Sequence, residues 1–194
     1  YLTNRAARID ERSRQWTALV TPPMPDAAAN DPQLYFQERI HEVQRTVDRL
    51  ASARGLKVPE TLGFPKELPP SEAVPRLLVQ LGIIDDAANL IVAQGVSSVS
   101  SFRVEDPESV PQPEGEDAFL IRLPVRVRLS GTLPVIMKVL GVLQQAHPVM
   151  DLTAVRMTAS PQNVGGDTLD AELVLSRYWV STAPPKPKKK SERS

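Results

Sequence analysis

The stretch that most constrains the fold is 119–129, FLIRLPVRVRL, in which apolar and polar residues alternate. A period of two is that of a β-strand with one buried face and one solvated face. The buried row would consist of Phe119, Ile121, Leu123, Val125, Val127 and Leu129. Residues 132–147, directly after it, read as an apolar helix that can cover this row. The sequence therefore predicts an open sheet with helices on one side.

Four more segments complete the predicted body. A helix is expected from Ser71, as its N-cap, to Gly95, and strands are expected over 96–105, 149–159 and 168–180. The order is helix, strand, strand, twice over, which predicts an α+β fold with a four-stranded sheet and both helices on the same face. Right-handed crossovers would make the second and fourth strands adjacent, central and parallel.

That pairing brings opposite charges together on the face without helices. The carboxylates of the fourth strand would meet the arginines of the second across this open face. The expected partners are Asp170 and Glu172 on one side and Arg122, Arg126 and Arg128 on the other.

The N-terminal third of the sequence is predicted to form a helical rod. Residues 1–20 carry a narrow apolar stripe among arginines, and a proline-rich break follows at 21–33. A second helix is expected to begin with Asp31 as cap and to run to about Arg54. Its apolar residues are spaced four, three, four and three: Phe36, Ile40, Val43, Val47 and Leu50. This spacing fits a coiled-coil seam that binds a partner, and it also fits a helix packed on its own domain.

Proline clusters set the predicted boundaries, since the chain has 19 prolines against 9 glycines. We expect a helical rod over 1–54, an extended connector over 55–70, a folded domain over 71–181 and a disordered basic tail over 182–194. In the helix after the alternating strand, Leu133, Ile136, Met137, Leu140 and Leu143 face one way. Three valines occupy another sector: Val135, Val139 and Val142. These valines either pack against the other helix or form a contact surface for another chain.

No catalytic or metal-binding constellation is evident, so we predict a non-enzyme without cofactors. The chain has no cysteine, and its two histidines, His41 and His147, share no sequence neighbourhood. The formal net charge is zero; five basic residues against Glu192 give the tail +4 and leave −4 for the rest. A body of that sign does not favour general nucleic-acid binding. One alternative stays open, in which the open sheet face, with its arginines and Tyr178, binds RNA.

The predicted body resembles a known family. The similarity lies in 123–143, LPVRVRLSGTLPVIMKVLGVL, in 152–157, LTAVRM, and in 169–179, LDAELVLSRYW. Gly131 at the helix start and the aromatic pair at 178–179 fit the pattern. The chain resembles PilO, an inner-membrane protein of type IV pilus machinery, and its type II secretion relative GspM. The match covers about 70–181, and the rod matches by type.

The resemblance implies an architecture and a role. The fold would be an αββαββ domain, a circular permutation of the ferredoxin-like fold, on an N-terminal coiled coil. The protein would be a periplasmic scaffold of pilus or secretion machinery, with no catalysis. It would form a homodimer, or a heterodimer with a sister of the PilN or GspL type. Because the sequence starts at Tyr1 inside an apparent helix, we expect an inner-membrane anchor before it.

Overall fold

The computed structural model describes residues 30–65, 67–110, 120–146, 150–159 and 167–180. The predicted helix over 1–20 and the predicted tail lie outside these residues. The helices are α1 (Pro32–Ser52), α2 (Val74–Ala93) and α3 (Leu133–Ala146). The strands are β1 (Ser98–Val104), β2 (Glu108–Ser109), β3 (Leu120–Thr132), β4 (Asp151–Ala159) and β5 (Thr168–Val180).

The strands form one sheet in the order β1-β3-β5-β4, and the short β2 pairs with β3 beyond the end of β1. The predicted α+β class and αββαββ order are confirmed, as is the central position of β3 beside β5. Their register runs from Leu120 opposite Val180 to Thr132 opposite Thr168. This long central pair organises the rest of the domain.

The predicted parallel orientation of β3 and β5 is wrong, because they pair antiparallel. The helix α3 connects β3 to β4, so the crossover makes those two strands parallel. The chain then reverses once more into β5, which pairs antiparallel with β4. β5 therefore fills the gap between β3 and β4 and runs opposite to both.

Alternation along the central strands places one face in the core. Leu123, Val125, Val127 and Leu129 are buried, Ile121 is half-buried, and Phe119 lies outside the described residues. On β5 the buried row consists of Ala171, Leu173 and Leu175. The β5 row and Val125, Val127 and Leu129 of β3 form one cluster with buried residues of α2 and α3, so both helices cover the same face. The buried row predicted for the alternating stretch is confirmed from Leu123 to Leu129.

The start of α1 is as predicted. The Oδ1 of Asp31 accepts a hydrogen bond from the Leu34 amide at 3.0 Å, and Pro32 occupies the first turn. The helix ends at Ser52, two residues before the predicted end, and Gly55 follows with φ +65°. That positive φ suits glycine as a residue that stops a helix.

The predicted boundary after residue 54 needs correction, because α1 is part of the folded body. Its apolar side chains join the same core cluster as Val74 and Leu81 of α2. The following segment is no free connector either. Leu62 is buried, Val58 and Phe64 pack against the core, and Val99 donates to the Lys57 carbonyl at 2.9 Å. Apolar residues among the prolines explain why this segment lies on the body.

Two helix starts also differ from the prediction. α2 begins at Val74 with Ala73 as N-cap and without a side-chain cap, so Ser71 does not cap it by its hydroxyl. Gly131 and Thr132, expected to open α3, still belong to β3. Among the residues that the structure describes, no helix combines the length and the apolarity needed to cross a membrane.

Candidate functional site

The predicted partner-binding row of α1 mostly serves the chain's own core. Phe36, Val43 and Val47 are buried in the cluster shared with α2, so their assignment to a partner is corrected to intramolecular packing. The physical reason is that α2 is apolar on nearly all sides and needs a second cover. Ile40 and Leu50 are half-buried, and their contact with a partner stays a prediction.

The valines of α3 divide in the same way. Val139 is buried in the core, whereas Val135 and Val142 are half-buried. Val139 is therefore corrected to core packing, and a partner contact through Val135 and Val142 stays a prediction. A Cβ placed on Gly131 would lie 3.6 Å from Val135 Cγ1 and 3.8 Å from Val96 Cα. Val135 thus lies on the flank of α3 that is turned toward the chain entering β1.

The exposed apolar side chains of α3 are ones that the sequence placed on one side of the helix with Ile136 and Leu143. Leu133 is 49% exposed and Met137 is 54% exposed, whereas Ile136 and Leu143 are buried. The five residues therefore do not share one environment, because α3 buries only a narrow stripe that leaves out Leu133 and Met137. The two residues occupy the flank opposite Val135.

Sequence reasoning missed a second exposed apolar pair, on β4. Val155 and Met157 are 40% and 41% exposed. They stand opposite Leu173 and Ala171 of β5, whose side chains lie on the helix side of the sheet. β4 forms the end of the sheet, and an edge position depends on strand order, which alternation does not reveal. We call Leu133, Met137, Val155 and Met157 the apolar strip.

The open face carries a network of charged pairs. Glu172 accepts from Arg126 at 2.5 Å and from Arg128 at 2.7 Å, and Arg126 also donates to Glu105 at 2.7 Å. Arg122 pairs with Glu108 of β2. The predicted contact between Glu172 and the arginines is therefore confirmed. Asp170 instead accepts from the Ser130 hydroxyl, at 2.6 Å.

The network shifts the ionisation of its members. The hydrogen bond from Arg128 and the charge of Arg126 lower the pKa of Glu172. The hydrogen bond to Glu105 raises the pKa of Arg126. Tyr178 donates to Asp151 at 2.7 Å, and this bond, with burial, raises the pKa of its hydroxyl. These shifts favour ionised pairs and a protonated tyrosine at neutral pH.

Polar side chains also fasten α2 to the sheet. The buried Gln80 donates to the carbonyls of Glu105 and Pro124 at 2.9 and 3.0 Å. Arg177, on the helix side of β5, donates to Asp86. Gly82 leaves room for this arginine, since a Cβ there would lie 3.2 Å from its Nη1. These contacts give α2 a fixed position.

A groove opens where α1 meets the proline-rich segment. It has a volume of ≈ 290 Å³, and His41 lines it together with Phe36, Ile40 and Leu62. Across the described ranges, no three His, Cys, Asp or Glu residues group as metal ligands would. His147, the other histidine, lies outside those ranges. The groove is thus a mainly apolar concavity with one imidazole at its wall.

No family model matches the chain, and no curated protein matches its sequence. A crystal structure from Akkermansia muciniphila matches at 14% identity over 95% of this chain and 99% of that one, with a TM-score of 0.62. Another from the same organism, described as lacking its transmembrane region, matches at 14% identity over 80% and 88%, with a TM-score of 0.61. These matches show the fold. The type 4 fimbrial biogenesis protein PilO from Pseudomonas aeruginosa also matches, at 13% identity over 78% of this chain and 100% of that one, with a TM-score of 0.36.

Proposed function

We propose that this chain is a non-enzymatic assembly protein of PilO type, which scaffolds a type IV pilus or a related secretion machine by binding other proteins. The observation that carries the proposal is the apolar strip. It comprises four of the six large exposed apolar side chains found in the described ranges, two on α3 and two on β4, and these two elements are in contact. Exposed apolar groups on neighbouring elements are typical of protein interfaces.

A membrane-anchored, periplasmic location is part of the proposal. It is supported by the sequence resemblance to PilO. The structure from A. muciniphila that is described as lacking its transmembrane region adds support, since it shares the fold of this chain. The body described above would then be held at the membrane surface, where an assembly partner meets it.

The partner would be a second copy or a sister protein of the PilN or GspL type. Of the predicted partner-binding residues, Ile40, Leu50, Val135 and Val142 are half-buried and remain available for such a contact. Size-exclusion chromatography with light scattering, on the wild type and on a variant with Val135 and Val142 changed to serine, tests that surface. We expect any dimer formed through it to become monomeric in the variant.

RNA binding by the open face is less well supported. Modules of that kind stack bases on aromatic residues of the central strands. Here Tyr178 is the aromatic residue on the open side of β5, and it donates to Asp151. The central-strand arginines, Arg122, Arg126 and Arg128, pair with glutamates. A base or phosphate would have to break these pairs.

Gene deletion in the source bacterium tests the proposal. We expect surface pili, counted by electron microscopy, or secretion by the related machine, to be lost and to return with the wild-type gene. Unchanged pili and unchanged secretion would contradict the proposed role. For the competing function, fluorescence anisotropy with single-stranded RNA at physiological salt is the direct measurement. A variant with the four tail lysines changed to alanine separates binding by the body from binding by the tail.

A further inference from the structure

The outer edge of β4 is open over the part of the chain that the structure describes. β4 pairs with β5 on one side, and β4 ends the strand order of the sheet. All of its residues except Leu152 are exposed. Backbone amides and carbonyls along such an edge can pair with a further strand.

The opposite edge of the same sheet is treated differently. The segment after α1 lies along β1, where Lys57 and Ser98 form a parallel bridge. Gly63 approaches so closely that a Cβ there would lie 2.1 Å from the Phe102 carbonyl oxygen. Within the described ranges, the chain therefore covers the β1 edge with its own backbone and places no segment along the outer edge of β4.

Side chains beside the open edge favour an apolar row in the added strand. Val155 and Met157 lie on the helix side of β4. Leu133 and Met137 lie on α3, about half a turn around the helix axis from Val135. Met157 of β4 stands opposite Ala171 of β5, which in turn stands opposite Leu129 near the end of β3. The strip therefore lies at the end of the sheet where α3 begins. An added strand would place every second side chain against this strip.

Arg156, on the open face of β4, favours an acidic residue in the added strand. Arg156 is exposed and stands opposite Glu172, but Glu172 bonds Arg126 and Arg128. A second copy pairing antiparallel through β4, with its axis at residue 155, 156 or 157, would bring two Arg156 side chains within two positions of each other on one face. Like charges so placed are unfavourable. A partner strand with a carboxylate beside Arg156 would pair more favourably than a second copy of β4 would.

We propose that residues 154–159 of β4 bind an extended segment of another protein by strand addition. The segment carries alternating apolar side chains toward the apolar strip and an acidic side chain beside Arg156. The register shift between Leu152 and Ala154 limits regular pairing to this length. The proposal rests on the proposed function for the existence of a protein partner, and it adds the surface and the partner's chemistry.

Two nine-residue peptides test the proposal. Threonine and valine alternate in both, and the central threonine is replaced by glutamate in one peptide and by lysine in the other. Binding to the full chain is followed by NMR titration and by amide hydrogen exchange. We expect slower exchange at 154–159 and about two- to fivefold tighter binding of the glutamate peptide, as for a cross-strand ion pair. Arg156→Glu should reverse the preference. Met157→Lys should abolish binding, and the matched control Leu34→Lys, at an exposed residue of α1, should not.

Three outcomes would overturn the proposal. The first is unchanged amide exchange at 154–159, and the second is equal binding of both peptides. The third is a dimer that forms without peptide and that Met157→Lys converts to monomer, which would mean that the β4 edge binds a second copy of this chain. Any of these leaves the pilus phenotype of the deletion strain unaffected. Failure of this inference is therefore distinguishable from failure of the proposed function.

Discussion

The two helix-strand-strand units of the domain have the same order but different surroundings. The helix of the first unit, α2, lies between the sheet and α1, and none of its large apolar side chains is exposed. The helix of the second unit, α3, lies on the same face without a described helix above it. It exposes Leu133 and Met137.

The strands at the two ends of the sheet repeat this difference. β1 is bordered by the proline-rich segment, with the Val99 amide bonded to the Lys57 carbonyl. β4 is bordered by β5 on one side and by no described segment on the other, and it exposes Val155 and Met157. The first unit is completed from within the chain, whereas the second exposes apolar side chains and a strand edge in the described ranges. Similar topology thus serves stability in one unit and, in our proposal, binding in the other.

The largest expected effect tests whether α1 belongs to the first unit. Phe36→Ala removes a buried ring that packs edge to face on Phe64 at 5.3 Å. We expect a loss of about 3–5 kcal/mol in the free energy of unfolding, as for other buried aromatic truncations. Met137→Ala in the second unit is the matched control and should cost under about 0.5 kcal/mol. Urea unfolding measures both, and equal losses would contradict the difference between the units.

The next effect tests the cover over β1. Gly63 has φ +77°, and an added Cβ would meet the Phe102 carbonyl, whereas Gly55 has φ +65° with open space around it. Gly63→Ala should cost about 3 kcal/mol, since it combines a left-handed conformation with a backbone clash. Gly55→Ala carries only the conformational cost, about 1 kcal/mol.

Hydrogen exchange distinguishes local from global loss in the Gly63 variant. The Val99 amide, which bonds to the Lys57 carbonyl, should exchange faster while the amides of β3 stay protected. If Gly55→Ala destabilises the protein as much as Gly63→Ala does, the close approach of the proline-rich segment to β1 does not stabilise the β1 edge of the sheet.

Much of the fold was predictable from sequence, because the alternation in 119–129 is unambiguous for a central strand with one covered face. Its neighbour, β5, followed from topology. The orientation of the pair did not, because it depends on counting one more chain reversal between β4 and β5. The spacing from Phe36 to Leu50 is equally typical of a coiled coil and of a packed helix, so sequence could not decide what α1 contacts.

The candidate binding surface was the least predictable part. Leu133 and Met137 have the helical spacing of core residues, and their exposure follows from how little of α3 the sheet covers. Val155 and Met157 alternate as buried strand residues do, and only the strand order places them at an edge. One signal was available for the first unit, since Leu56, Val58, Leu62 and Phe64 punctuate the proline-rich segment with apolar side chains.

A smaller effect tests the open face, which joins the two units through β3 and β5. Glu172→Gln removes the carboxylate shared by Arg126 and Arg128, and we expect a loss of about 1 kcal/mol at pH 7. The pKa of Glu172 is lowered in the folded protein, so its contribution is present above the unfolded value of about 4.3. It is lost as the pH falls through the lower folded pKa.

The difference in unfolding free energy between wild type and Glu172→Gln should therefore shrink below about pH 4. Glu60→Gln, at an exposed glutamate in the segment after α1, is the control and should show a smaller difference at neutral pH. A Glu172→Gln effect that is independent of pH would mean that the side chain acts through packing instead of charge.

The smallest expected effect has the opposite sign and lies in the covered first unit. Burial, and then the charge of Asp86, raise the pKa of Asp85 on α2, while Arg39 of α1 acts against this rise. A carboxyl with a raised folded pKa makes the protein less stable as the pH rises through that value. Asp85→Asn should therefore stabilise by about 0.5 kcal/mol at pH 7, and the gain should vanish at acidic pH, where Asp85 is already neutral. The Asn side chain keeps an acceptor for Asn89, which bonds the Asp85 carboxylate at 3.1 Å.

If α1 lies over α2 as described, Arg39→Met removes a compensating charge and should enlarge the gain from Asp85→Asn. Thermal unfolding of the four variants of this cycle measures the coupling, and additive effects would separate Arg39 from Asp85 and weaken the case that α1 covers the first unit.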